Sequence, residues 1–155
     1  MQDLFSGLLP ALPQQEHLAE GAVLLRAQAL DAEQALLSDL AQITEQAPFR
    51  HMITPGGFTM SVGMSNCGPL GWVSDRSGYR YSPVDPLSKR NWPPMPQSFL
   101  HLAQTAAAKA GYPDFLPDAC LINRYEPKNK LSLHQDKDEK SPAHPIVSVS
   151  LGLPA

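Results

Sequence analysis

The chain has only two cysteines, Cys67 and Cys120, among its 155 residues. That scarcity excludes a disulfide framework, and their wide separation excludes a CxxC metal site. Two reduced, partly buried thiols in a cytosolic protein are expected instead. Long apolar runs are also missing: none approaches the ~18 residues of a membrane-spanning helix. The segment Met1 to Pro10 lacks the basic start of a signal peptide. Together these absences predict a soluble cytoplasmic protein with no membrane partner. Excess positive charge is missing too, since 12 Lys and Arg face 15 Asp and Glu, for a net charge of −3. A uniformly basic nucleic-acid binder is thereby excluded, and any such contact must come from a local patch.

What is present describes a globular protein. A hydrophobic fraction of 43% against 17% charged residues is the balance of a folded domain, not of a disordered chain. Sixteen prolines predict long loops between regular elements. No repeat or interdomain linker is evident, so residues 1–155 read as one domain. Residues 1–20 read as an irregular arm with Pro10 and Pro13, and Gly21–Arg26 as a short buried strand. Asp31 opens a helix, with Gln34 completing a capping box. Ala32, Ala35, Leu36, Leu40, Ile43 and Ala47 recur at helical spacing until Pro48 stops the pattern.

Phe58, Met60, Val62 and Met64 alternate onto one face of a strand. The stretch from Gly68 to Pro96 reads as a loop carrying Trp72, Tyr79, Tyr81 and Trp92. A second helix spans Pro96 to Ala110, with Phe99, Leu102, Ala103, Ala106 and Ala110 inward and Gly111 as its left-handed end. Beyond it, Ala119–Tyr125, Leu131–Asp136 and Ile146–Leu153 each alternate as strands. Two helices followed by antiparallel strands predict an α+β fold with helices backing a sheet.

His134 and Asp136 stand two apart in a strand-like run, so both side chains project from one face. An imidazole and a carboxylate at that spacing can chelate one metal ion. They are two members of a 2-His-1-carboxylate facial triad, which leaves coordination positions open for a co-substrate and oxygen. Alone the spacing is a weak signal, because it often arises by chance, and a solvated His–Asp pair at a strand end is its commoner origin.

The flanking sequence decides between them. Leu121-Ile122-Asn123-Arg124-Tyr125, then Leu131-Ser132-Leu133-His134-Gln135-Asp136-Lys137-Asp138-Glu139, resemble the central motif of the AlkB family of Fe(II)- and 2-oxoglutarate-dependent dioxygenases. Met52-Ile53-Thr54-Pro55-Gly56-Gly57-Phe58-Thr59-Met60-Ser61-Val62, Tyr112-Pro113-Asp114-Phe115 and Asp118-Ala119-Cys120 match in the same order. The likeness runs from about Gly21 to Ala155. It implies a double-stranded β-helix (jelly-roll) core starting in residues 116–155, with residues 21–115 an N-terminal extension bearing nucleotide-recognition loops.

The resemblance further implies a reaction. Oxygen and 2-oxoglutarate are consumed to give succinate and CO2, while an N-methyl group on 1-methyladenine or 3-methylcytosine is hydroxylated and lost as formaldehyde. The implied partner is alkylated DNA, single strands favoured, with RNA a second candidate, met by a monomer. His134 and Asp136 would hold the iron, and Asn123, Arg124 and Tyr125 would meet 2-oxoglutarate. Trp72 would stack on the flipped base, with Tyr79, Arg80 and Tyr81 beside the nucleic acid and Asp138 accepting from an adenine amine. Thr54, Met64 and Gln135 follow as further substrate contacts. Lys128, Lys130, Lys137, Lys140 and Arg76 would offer phosphate contacts, though acidic residues are interleaved with them.

Two points stand against a complete match. A symmetric hairpin after Tyr125 would pair Asn123 with Leu133, putting it on the face opposite His134, so the functional reading needs a bulge or a shifted register. The family's distal His and two arginines find no counterpart before Ala155. His144, between Ala143 and Pro145, reads as a solvent-facing loop residue, and His17, His51 and His101 lie outside any ligand motif. A jelly roll without its last strands and a poorly active 155-residue form are therefore expected. The competing readings are a catalytically inactive nucleic-acid-binding module and a 2-oxoglutarate oxygenase with another substrate.

Overall fold

The computed structural model describes residues 14–137, 139–141 and 143–153. It opens with a hairpin in which β1 (Gln15–Ala19) pairs antiparallel with β2 (Ala22–Leu25). The expected irregular arm is thus a strand from Gln15 onward. Gly21 takes the positive φ of the tight turn, and Arg26 pairs with Glu16 to close the open end.

A 3-10 turn (Leu30–Ala32) leads into α1 (Glu33–Gln46). The capping box expected at Asp31 and Gln34 is not formed, because Asp31 is consumed inside the 3-10 turn and Ala32 caps the helix without a side-chain bond. Leu36, Ile43 and Ala47 are buried as expected, whereas Ala35 faces solvent. Helix α2 (Gln97–Lys109) packs beside α1, with the Ser98 hydroxyl donating to Asp39 Oδ2 at 2.5 Å. Its end is a Schellman motif. Gly111 has φ +98° and its N–H donates to Ala108 O, while the Tyr112 N–H donates to Ala107 O.

Four further strands lie among the described residues. β3 (Gly63–Cys67) pairs antiparallel with β6 (Cys120–Arg124), and β4 (Gly71–Asp75) with β5 (Gly78–Ser82). The strand expected over Phe58–Met64 starts later, at Gly63. Before it, the Thr54 N–H donates to Phe58 O and the Phe58 N–H donates to Thr54 Oγ1, which bends the chain into a turn. Phe58 sits at its tip, 76% exposed, while Val62 and Met64 pack with Met52. The β4–β5 hairpin replaces the loop expected from Gly68 to Pro96. Its two-residue turn at Arg76 and Ser77 is held by Asp75, which accepts the Ser77 N–H.

Beyond Arg124 the expected strands 131–136 and 146–153 are absent. A strand persists only where a neighbour satisfies its backbone groups. Among the described residues nothing pairs with either segment. The α+β class holds, with two helices and several antiparallel pairs, but these residues do not close a jelly roll.

Ala47 at the C-terminal end of α1, Val73 of β4 and Trp92 form one buried cluster. The Trp92 indole N–H donates to Ser82 O at 2.9 Å. Gly71 lies so close beneath it that an added Cβ would come within 2.3 Å of Trp92 Cε2 and Nε1. Gly71→Ala must therefore displace a buried indole, and should cost about 3 kcal/mol of stability, the upper range for overpacking. A urea midpoint unchanged by Gly71→Ala would refute this packing.

Candidate metal and base-stacking site

His134 Nε2 and Asp136 Oδ1 are 3.3 Å apart, both side chains half exposed. Two donors each roughly 2.1 Å from a shared ion and at right angles to it would lie about 3 Å apart. The observed bite fits that requirement without a regular strand to impose it. Ser132 O lies 2.8 Å from His134 Nδ1. A carbonyl only accepts, so Nδ1 carries the proton and Nε2 is left with a lone pair for a metal. Among the described residues there is no group of three His, Cys, Asp or Glu side chains that could hold an ion. His144 instead contacts Ser141 Oγ through Nδ1 at 2.9 Å.

The segment carrying His134 is tied at both ends to the rest of the fold. On one side, Ser61 Oγ donates to Lys130 O and accepts the Lys130 N–H, each at 3.1 Å. On the other, the Tyr81 hydroxyl donates to Glu139 Oε1 at 2.5 Å. These tethers bracket His134 and Asp136.

Tyr81 belongs to the aromatic hairpin. Trp72 is its direct cross-strand partner, and Ser74 faces Tyr79. Side chains of facing residues share a side of the sheet, so Trp72, Tyr79 and Tyr81 all project one way. The Trp72 and Tyr79 rings stack, with centroids 5.6 Å apart and 16° between planes. Trp72 rests on the Met52, Val62 and Met64 cluster. Its backbone is clamped from below by the fully buried Asn66, whose Nδ2 donates to Trp72 O and whose Oδ1 accepts the Trp72 N–H, both at 2.9 Å.

Arg80 alternates to the other side of the hairpin, where its guanidinium donates to both Asp75 oxygens at 2.8 and 2.9 Å. The Arg80 hydrogen bonds, joined by the Ser77 N–H, hold the Asp75 carboxyl down at about 2. A depressed carboxyl stabilises above its ordinary range and loses that contribution only as pH falls through its folded value. This exposed clamp therefore stays charged until about pH 2.

The β3–β6 register places Asn123 directly opposite Met64. Asn123 thus shares the face on which Trp72 packs, and the symmetric hairpin that would have paired it with Leu133 does not form. Tyr125, just past the strand, is half exposed. Arg124 turns to the opposite face, where its guanidinium lies 4.6 Å over the Phe49 ring and 3.3 Å from Glu126. The side chains of Arg124 and Asn123 thus lie on opposite faces. Asp138 lies outside the described residues. Lys128, Lys130 and Lys137 are exposed.

Asn66, Ser61 and Glu139 were not singled out from sequence. The signal for Asn66 was available: the polar run Ser65-Asn66 sits between the apolar Met64 and Cys67 in a strand, and buried amides there must be satisfied by specific partners.

The geometry thus offers an imidazole and a carboxylate at chelating distance, on a segment tethered to an aromatic hairpin. Comparison with known families agrees: the 2OG-Fe(II) oxygenase superfamily model matches residues 21–155. The chain belongs to that superfamily and, by its relatives, to the AlkB family within it. It is 61% identical over all 155 residues to the Alpha-ketoglutarate-dependent dioxygenase AlkB of Escherichia coli, spanning 70% of that protein. The Salmonella typhimurium protein of the same name is 57% identical over the same span, also 70% of its length. More distantly, 54% of the chain is 31% identical to the human Nucleic acid dioxygenase ALKBH1, covering 21% of that protein. Membership makes the chain an Fe(II)- and 2-oxoglutarate-dependent dioxygenase, with those two groups as metal and co-substrate.

Proposed function

We propose that the chain demethylates N-alkylated bases, 1-methyladenine and 3-methylcytosine, in DNA, with single strands favoured and RNA a second polymer. The observation that carries this reading is the Tyr81–Glu139 tether, which holds the His134–Asp136 segment against the hairpin bearing the Trp72–Tyr79 stack. A base removed from its stack needs a flat apolar surface, and Trp72 offers one. His134 and Asp136 would hold the iron, the first through Nε2 and the second through Oδ1. Asn123 and Tyr125 would bind 2-oxoglutarate, their amide and hydroxyl replacing the hydrogen bonds it loses to water. Iron, when bound, couples oxygen activation to 2-oxoglutarate decarboxylation, and the products are succinate, CO2, formaldehyde and the repaired base. Asp138 would read an adenine amine, and Tyr79 and Arg80 would lie along the backbone.

The test is formaldehyde release from a 1-methyladenine oligonucleotide. Trp72→Ala should raise KM about 10- to 100-fold, the worth of one stacked base. Iron-dependent 2-oxoglutarate decarboxylation without substrate should stay within about twofold, since Trp72 touches neither donor of the chelate. Decarboxylation that never responds to methylated DNA or RNA would assign the oxygenase a different substrate.

A second reading rests on the two metal donors found, among the described residues, where the triad requires three. In it, the chain binds nucleic acid through the aromatic hairpin without turnover. Iron-dependent 2-oxoglutarate decarboxylation by the chain would eliminate it.

A further inference from the structure

Cys67 and Cys120 are direct partners across the β3–β6 pair. The strands' hydrogen bonding fixes how they meet. Met64 turns its N–H and C=O away from β6, toward Arg50, and the Gly68 N–H turns away toward Pro93 O. Backbone groups alternate along a strand, so those of Cys67 point at Cys120. The two therefore form a hydrogen-bonded antiparallel pair, with Cα atoms about 5.5 Å apart. That separation lies inside the roughly 4.4–6.8 Å range that a disulfide spans without backbone movement. Both thiols are free, Cys67 with no exposed surface and Cys120 partly exposed.

From this geometry we infer that Cys67 and Cys120 form a peroxide-responsive dithiol, with Cys120 the attacking sulfur and Cys67 the resolving one. Access sets the order, since only Cys120 meets solvent. The proton arrangement agrees. The neighbouring Cys67 side chain moves the Cys120 thiol down, against the upward push of its burial, while the Cys120 side chain and burial push Cys67 up. Cys120 Sγ attacks one oxygen of hydrogen peroxide, which breaks the O–O bond and gives a Cys120 sulfenic acid and a first water. Cys67 Sγ then attacks that sulfur, the S–O bond breaks, and the Cys67 proton leaves with the hydroxide as a second water. Two thiols and one peroxide become one disulfide and two waters, the sulfurs losing two electrons in all.

The bond would staple β3 to β6 three residues before Asn123, at the end of the strand that presents it. Cys120 is partly exposed, and exposed disulfides are the readily reduced ones. The modification should therefore be reversible by a small dithiol.

Peptide mapping of the whole chain under non-reducing conditions, after a few equivalents of hydrogen peroxide, tests this. A single intramolecular Cys67–Cys120 cross-link, loss of both titratable thiols and full reversal by dithiothreitol are expected. Cys120→Ser should keep its remaining thiol at the same peroxide dose, because Cys67 is sealed from solvent. Cys67→Ala should instead stop at a Cys120 sulfenic acid that dimedone traps. Cys120→Ser changes a partly exposed position and so keeps the test open if Cys67→Ala folds poorly. Disulfide-linked dimers through Cys120, a Cys120 sulfinic acid in the unmutated chain, or thiols untouched by peroxide would each overturn the inference.

Discussion

Asp85→Ala lowers the free energy of unfolding by about 3–5 kcal/mol, the cost of leaving one member of a buried ion pair without its partner. Asp85 is 1% exposed, and its Oδ1 accepts from Arg50 at 2.5 Å and from the Leu87 N–H at 2.8 Å. Arg50 in turn lies 5.3 Å from the Trp92 ring centroid and bridges through its backbone to Met64. One carboxylate thus ties the loop after β5 to the edge of β3 and to the core indole. Removing it strands a guanidinium that is only 17% exposed.

Burial pushes the Asp85 carboxyl up, but the bonds from Arg50 and Leu87 outweigh it, so the net movement is down. The contribution is accordingly complete above the ordinary carboxylate range and fades as pH falls through the depressed value. Urea titrations at neutral pH should show a lower midpoint with an unchanged slope. Arg50→Met with Asp85→Leu should recover part of the loss, because no charge is then left unpaired. A loss below about 1 kcal/mol, the scale of a surface pair, would sink the claim.

Helical elements were legible because their signals are local. Leu36, Ile43 and Ala47 follow a 3.6-residue period that needs no knowledge of the partner, and Gly111 marks an end whose geometry only glycine adopts cheaply. Asp31 failed as a cap for a reason equally local but invisible to pattern, namely a 3-10 turn already occupying it. The hairpin at Gly71–Ser82 was hidden because Gly and Pro around it read as loop, although Trp72, Tyr79 and Tyr81 carried the alternation. Segments 131–136 and 146–153 show the converse failure. Their alternation is real, but a strand is a property of a pair, and among the described residues no partner lies beside them. Even without a strand, His134 Nε2 and Asp136 Oδ1 lie 3.3 Å apart, because residues two apart stay neighbours in any extended run. Asn66 and Asp85, by contrast, owe their importance to residues 6 and 35 positions away, which no single-sequence spacing reveals.

The chelate also yields the largest expected functional effect. His134→Ala or Asp136→Ala should each weaken Fe(II) binding by about 100-fold or more. Replacing a group that merely orients a ligand already costs about 10- to 100-fold, and in the proposed site a ligand itself would be lost. Iron-dependent 2-oxoglutarate decarboxylation should fall with it. The fold should not, because both side chains are half exposed and an exposed pair contributes only about 0–1 kcal/mol. Unfolding curves without metal should therefore superpose on those of the unmutated chain, which separates loss of a ligand from loss of structure.

Asn123→Ala makes the complementary case, since Asn123 is exposed on the Met64 face and donates nothing to the chelate. It should leave iron affinity within about twofold and raise the KM for 2-oxoglutarate about tenfold, the worth of one hydrogen bond to a charged group. Equal iron affinity in all four proteins would show that the metal is held elsewhere, and the His134-Gln135-Asp136 reading would fall with it.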